Sequence, residues 1–162
     1  MKFYKRQLLR ITIEIKVCQK LIIVMDCLER CDMEKINVIG TCIHNIRMNE
    51  AVDTFVSYLN GKEFKMVFTP NPEIVMIARD NESYRKVINS GDLVVPDGIG
   101  LIHGTFFKKC KIKYRVPGFD LLTNVLYEIK DRNYKIYLLG GKPKIAEKAA
   151  QKIEKDFKTR CF

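Results

Sequence analysis

A chain of 162 residues can bury a hydrophobic core without disulfide staples, and it is short enough that one domain is the default. Hydrophobic residues at 47% and charged residues at 30% exclude a disordered or low-complexity chain, and no internal repeat is visible. A net charge of +10 fits an anionic partner (nucleic acid, an anionic membrane face or a diphosphate-bearing substrate) and equally a generally basic surface.

Residues 1–32 contain no Gly or Pro, and Ile11–Val17 alternates as a strand does. Glu14, Lys16, Lys20 and Asp26 interrupt this region, and its longest uncharged run is Leu21–Met25. That falls far short of the ~20 apolar residues of a span and offers no clean secretory core. A cytoplasmic location is expected, with contact at the membrane surface left open. The six cysteines form no Cys-x-x-Cys pair, and His44 and His103 are the two histidines, so reduced thiols are expected rather than a zinc set or disulfides.

From Met33 the pattern is orderly. Ile36–Gly40 reads as a strand, and Thr41–Ile46 can pair back on it. Asn49 is the expected cap of a helix carrying Ala51, Val52, Phe55, Val56 and Leu59, with Asn60-Gly61 as its stop. Lys65–Thr69 is a strand. A helix follows from Pro72, with a break near Asn81 and an end by Gly91. Leu93–Val95 is a buried type of strand. Lys108, Lys109, Lys111, Lys113 and Arg115 suggest the solvated face of an edge strand, and Pro117-Gly118 turns the chain into a helix with Leu121, Leu122, Val125, Leu126 and Ile129. Lys135–Leu139 is a strand, Gly140-Gly141 a tight turn, and Pro143 the expected first position of a helix through Phe157. Strands alternating with helices predict an α/β fold, Rossmann-like, with a mostly parallel sheet covered on both faces. Ligands of such folds bind beyond the carboxyl ends of the strands.

Three polar or glycine-rich stretches follow strands directly. In Thr69-Pro70-Asn71-Pro72-Glu73, Asn71 can simply cap a helix, worth ~1 kcal/mol, or Thr69 and Asn71 can meet a ligand. Asp97, flanked by Pro96 and Gly98, is placed to be a general base or to form an ordinary Asp-Gly turn. Gly140-Gly141-Lys142 is neither a dinucleotide fingerprint nor a P-loop; it is a plain turn or a phosphate-receiving helix start. Arg115 offers a planar fork suited to phosphate oxygens. Aromatic residues among the basic ones are sparse, which weakens a nucleic-acid groove. No Asp-x-Asp occurs, so a transferase built on this chain would stabilise a departing diphosphate with Arg, Lys or backbone donors.

In series, Ile36–Gly40, Thr69–Glu73, Asp92–Gly100, Arg115–Leu121 and Tyr137–Gly141 resemble the WecG/TagA/CpsF family of bacterial glycosyltransferases over roughly Met33 to Phe157. The resemblance implies transfer of an N-acetylmannosamine-type sugar from a UDP carrier to a polyprenyl-diphosphate-linked N-acetylglucosamine, with inversion and without metal or other cofactor. The polymers served would be wall teichoic acids, capsules or related surface glycans. It implies Asp97 as the catalytic base, Thr69 and Asn71 as substrate-positioning residues, and Arg115 with Gly140 and Gly141 near the diphosphate. The enzyme would sit peripherally on an anionic membrane, with no nucleic-acid partner and homo-oligomerisation left open. Residues 1–32 match nothing in the family, and 33–162 stop before its Pro-Lys-Gln-Glu-type motif and C-terminal appendage. This leads to the expectation of a non-family extension followed by an incomplete transferase domain. An inactive α/β fragment and a basic nucleic-acid-binding module are the competing readings.

Overall fold

The computed structural model describes residues 35–157 and 160–161. The strand expected over 11–17 and the extension expected over 1–32 lie outside the described residues. The chain divides into two compact units whose boundary falls after Val125, inside a helix.

In the larger unit, β1 (Lys35–Val38) and β2 (Thr41–His44) form the expected antiparallel hairpin. Its two-residue turn places Ile39 at φ 51° and Gly40 at φ 86°, and the Asn37 side chain accepts the Gly40 N–H at 2.9 Å. Helix α1 (Met48–Asn60) starts one residue before Asn49, because Glu50 reaches back to accept the Arg47 N–H at 2.9 Å. It buries Ala51, Val52 and Leu59.

Strand β3 (Val67–Phe68) leads into α2 (Pro72–Asp80) and α3 (Glu82–Asn89), which break at Asn81 as expected. Each helix is capped by an asparagine: Asn71 accepts from the Ile74 N–H at 2.9 Å, and Asn81 from the Tyr84 N–H at 3.0 Å. Strand β4 (Leu93–Val94) pairs parallel to β3. The entry to this pair is closed by Asp92, which accepts the Met66 N–H at 2.8 Å and meets Lys65 Nζ at 3.2 Å. Burial pushes the Asp92 carboxyl upward, but the Met66 N–H and Lys65 outweigh it and hold it below its ordinary range.

A short helix that the sequence pattern did not suggest, α4 (Ile99–Thr105), follows Gly98. Three glycines in and around it lower its intrinsic propensity; burial of Leu101 and Thr105 holds it in place. The expected edge strand over the basic run does not form. Residues 111–116 do alternate in burial, with Ile112 and Val116 inside, but among the described residues no strand pairs with them to complete a ladder. The segment is held instead by isolated bonds: Ile112 N–H to Thr105 Oγ1 at 3.0 Å, Lys113 N–H to Asn45 Oδ1 at 2.8 Å and Val116 N–H to the Pro96 carbonyl at 2.9 Å. The core of this unit gathers Ile36, Val38, Ile43, Val75, Ile88, Val94, Leu101 and Ile112. Helix α5 (Gly118–Ile129) begins at the glycine itself, earlier than the apolar spacing suggested, and runs across the unit boundary.

In the smaller unit, β5 (Lys135–Ile136) pairs parallel with β6 (Arg160–Cys161), on either side of α6 (Ile145–Phe157). The rings of Tyr127 and Phe157 pack edge to face at 4.8 Å. Pro143 does not open α6 as expected: Lys144 takes φ 68°, which interrupts a right-handed helical path before Ile145. The class is therefore α/β, with two parallel pairs and one antiparallel pair as the ladders among the described residues. Among the described residues no helix is long and apolar enough to cross a membrane.

Candidate active site

The site is organised by β4. Its alternate residues bond in opposite directions. On one side Leu93, Val95 and Asp97 donate their N–H groups to the carbonyls of Met66, Phe68 and Pro70, at 3.2, 2.8 and 2.9 Å. The parallel register thus continues past the two formal strand residues and delivers Asp97 beside Pro70, between Thr69 and Asn71. On the other side the Val116 N–H reaches the Pro96 carbonyl. Val95, Pro96 and Val116 are buried, and Asp97 is half-buried at the end of this apolar ribbon.

Val94 also faces away from β3, and its partner there is a side chain. His44, at the end of β2, places Nδ1 2.9 Å from the Val94 nitrogen and 3.1 Å from its carbonyl. One nitrogen cannot serve both. A buried N–H tolerates orphaning less well than a carbonyl, so Nδ1 accepts the Val94 N–H and the ring is neutral. Burial drives the His44 pKa down; the Val94 backbone partly opposes this, and Lys35 adds to it. The imidazole, 2% exposed, thus continues the sheet from β4 toward β2 without a backbone ladder. No motif announces this role: β2 buries both Ile43 and His44, so alternation does not single the histidine out.

Glycines let the remaining pieces close on the site. A Cβ on Gly118 would stand 2.7 Å from Thr69 Oγ1, so the start of α5 rests directly on Thr69. A Cβ on Gly100 would stand 2.8 Å from Pro72 Cγ, bringing α4 onto the start of α2. Gly98, at φ 106° and ψ 141°, turns the chain from Asp97 into α4 through a conformation that side chains avoid. Arg115 precedes Val116 and is exposed. Among the described residues neither it nor Asp97 has an ion-pair partner. Four of the sequence-predicted residues, Thr69, Asn71, Asp97 and Arg115, therefore belong to one unit, and its hydrogen bonds gather their backbones at the carboxyl ends of β3 and β4. Gly140 and Gly141 belong to the other unit, where both take positive φ (110° and 85°) and are exposed.

The sequence profile of the Glycosyl transferase WecG/TagA/CpsF family matches residues 36–161. The chain belongs to this family. Curated relatives from Staphylococcus aureus strains NCTC 8325 / PS 47 and COL are each 26% identical over 136 residues, covering 83% of this chain. Each carries the name N-acetylglucosaminyldiphosphoundecaprenol N-acetyl-beta-D-mannosaminyltransferase. The chain spans about half of their length, 54%. The match to the WecG/TagA/CpsF profile takes in both units, including the paired strands β5 and β6.

The motif stretches differ in how far their side chains are engaged by the protein itself. Among the described residues Asp97 and Arg115 have no ion-pair partner. Asn71 spends its carbonyl oxygen on the Ile74 N–H, so its amide NH2 is the group left to offer a ligand. Asp92 is wholly engaged in closing β3 against β4. Gly118 and Gly100 serve as close-approach points.

Proposed function

We propose that this chain is the catalytic portion of a glycosyltransferase that moves an N-acetylmannosamine-type sugar from UDP to a polyprenyl-diphosphate-linked N-acetylglucosamine. Transfer inverts the anomeric centre and needs no divalent metal. The observation that carries the reading is Asp97: its N–H is bonded to the Pro70 carbonyl, between Thr69 and Asn71 in the chain, at the end of the β3–β4 ribbon, while the residue is half-buried and among the described residues has no ion-pair partner. Family membership and the names of the S. aureus relatives support the sugar and the lipid-linked acceptor.

In this reading Asp97 takes the proton of the acceptor hydroxyl as its oxygen attacks the anomeric carbon. The bond from that carbon to the UDP phosphate oxygen breaks, and UDP departs with the electron pair. Thr69 Oγ1 and the Asn71 amide orient the sugars. Arg115 and the amides of the first turn of α5, which precede the Leu121 N–H to Pro117 carbonyl bond, meet the developing diphosphate charge. Gly140 and Gly141, exposed and at positive φ, are assigned to the nucleotide. The same proposal includes a Rossmann-like arrangement of the sheet and a cytoplasmic enzyme held peripherally at an anionic membrane, serving teichoic acid or a related surface glycan.

The test is transfer of radiolabelled sugar from UDP-N-acetylmannosamine to a lipid-diphosphate acceptor by this chain. Asp97→Asn should lower turnover by about 100-fold or more while leaving the unfolding midpoint in place. Undiminished transfer by that variant would remove Asp97 from the chemistry. No transfer by the unmodified chain would leave the competing reading, a catalytically silent α/β unit.

A further inference from the structure

The basic run holds a surface feature that the transfer chemistry does not use. Thr105 Oγ1 accepts the Ile112 N–H at 3.0 Å, pinching off the six residues Phe106-Phe107-Lys108-Lys109-Cys110-Lys111. Both pins are buried, Thr105 at 0% and Ile112 at 1% exposure, while all six residues between them are exposed. At the tip Phe107 is 97% exposed, and it packs edge to face against Phe106 with ring centres 5.2 Å apart. Lys111 Nζ stands 5.5 Å over the Phe106 ring, and Lys108 Nζ reaches the Asn37 carbonyl at 3.4 Å. No Asp or Glu occurs between Asp97 and Asp120, whereas Lys108, Lys109, Lys111, Lys113 and Arg115 all do.

We infer that the loop 106–111 is the membrane-contact surface of this unit, with the two phenylalanines entering the interface of an anionic bilayer and the lysines meeting its headgroups. This rests on the peripheral membrane contact proposed above and not on the sugar chemistry. A pinned loop carrying an aromatic wedge in a field of one sign combines the two signals that make interfacial binding stable, apolar insertion and electrostatic attraction. A free phenylalanine at the tip gains roughly 10- to 100-fold in partition when it leaves water. Each lysine near an anionic surface adds about fivefold. A single-stranded nucleic acid would need open ring faces on which bases stack. Here the Phe106 face lies under Lys111, and the two rings meet edge to face.

The experiment is co-sedimentation of this chain with vesicles of phosphatidylcholine alone or containing phosphatidylglycerol, at low and physiological salt. Binding should require phosphatidylglycerol and fall with salt. F107S should lower it about tenfold or more, and K109Q combined with K111Q about 25-fold, both with unchanged unfolding midpoints because all three side chains are exposed. The chain contains no tryptophan, so F107W provides a single reporter whose emission should shift to the blue only with phosphatidylglycerol vesicles. If the unmodified chain binds these vesicles and the variants bind equally well, the membrane contact stands and the loop assignment falls. If the unmodified chain does not bind them, both fall. Tighter binding to single-stranded RNA than to the vesicles at the same salt, insensitive to F107S, would make the run a nucleic-acid surface and overturn the inference.

Discussion

Replacing His44 tests whether a side chain really stands in for a strand beside β4. His44→Leu keeps the volume and apolar packing but removes the acceptor of the Val94 N–H. Val94 is 1% exposed, so its amide would be left without water. An orphaned buried donor costs about 1–3 kcal/mol. His44→Asn keeps an acceptor near the position of Nδ1 and leaves a small gap, so it should retain about 1–2 kcal/mol of what leucine loses. In a chain of 162 residues each kcal/mol corresponds to about 2–4 °C in Tm. The pH dependence follows from the depressed pKa. As pH falls below about 6.5 the unfolded chain takes up a proton on His44 before the folded chain does. The contribution is therefore complete above that pH and is lost as pH falls through the lowered folded value. Urea unfolding followed by circular dichroism at pH 8 and pH 5.5 reads both effects. The unmodified chain should lose midpoint between the two, and His44→Leu should lose less. Equal stability of the leucine and asparagine variants at pH 8, or an unchanged pH slope in His44→Leu, would refute the argument.

Other consequences can be measured in the same way. Gly118→Ala should destabilise by about 1–3 kcal/mol, because its Cβ would meet Thr69 Oγ1 at 2.7 Å and Thr69 Cγ2 at 3.2 Å; thermal unfolding of Gly118→Ala with Thr69→Ala should show less loss than the two single changes summed. Asn71→Ala should cost ~1 kcal/mol by removing the cap of α2, whereas Asn71→Asp should keep the cap and, if the amide holds a sugar, still weaken transfer. For Asp92, held below its ordinary range by the Met66 N–H and Lys65 against the effect of burial, stabilisation is present above the ordinary carboxylate range and lost as pH falls through the lowered value. Asp92→Asn should therefore lower the urea midpoint at pH 7 and converge with the unmodified chain in acid.

What the sequence revealed depends on how local the cause was. The hairpin at Gly40, the break at Asn81 and the cap at Asn71 arise within a few residues of chain, and they could be read there. The basic run resembles a strand because its burial does alternate; what it lacks among the described residues is a paired strand, and pairing is set by tertiary structure. Helix α4 is hidden in the sequence by its glycines, of which Gly100 suits the approach to Pro72 better than it suits a helix. Asp97, Thr69 and Asn71 can be singled out as candidates in the sequence because they follow strands directly. His44 could not be found that way, since its partner lies fifty residues further along the chain. Residues 1–32 lie outside the described residues, so the extension expected there is a matter of sequence alone.

Asp97 is followed by Gly98, which has no side chain to hinder its own nitrogen. Replacing the aspartate with asparagine creates an Asn-Gly pair. In such a pair the glycine nitrogen can attack the side-chain carbonyl, expel ammonia and form a cyclic imide, which opens to aspartate or isoaspartate. The inactivated protein would then slowly repair itself on the shelf. Activity that is absent from fresh Asp97→Asn material and grows as the sample ages, while Asp97→Ala stays silent, would mark this one carboxylate as the missing part.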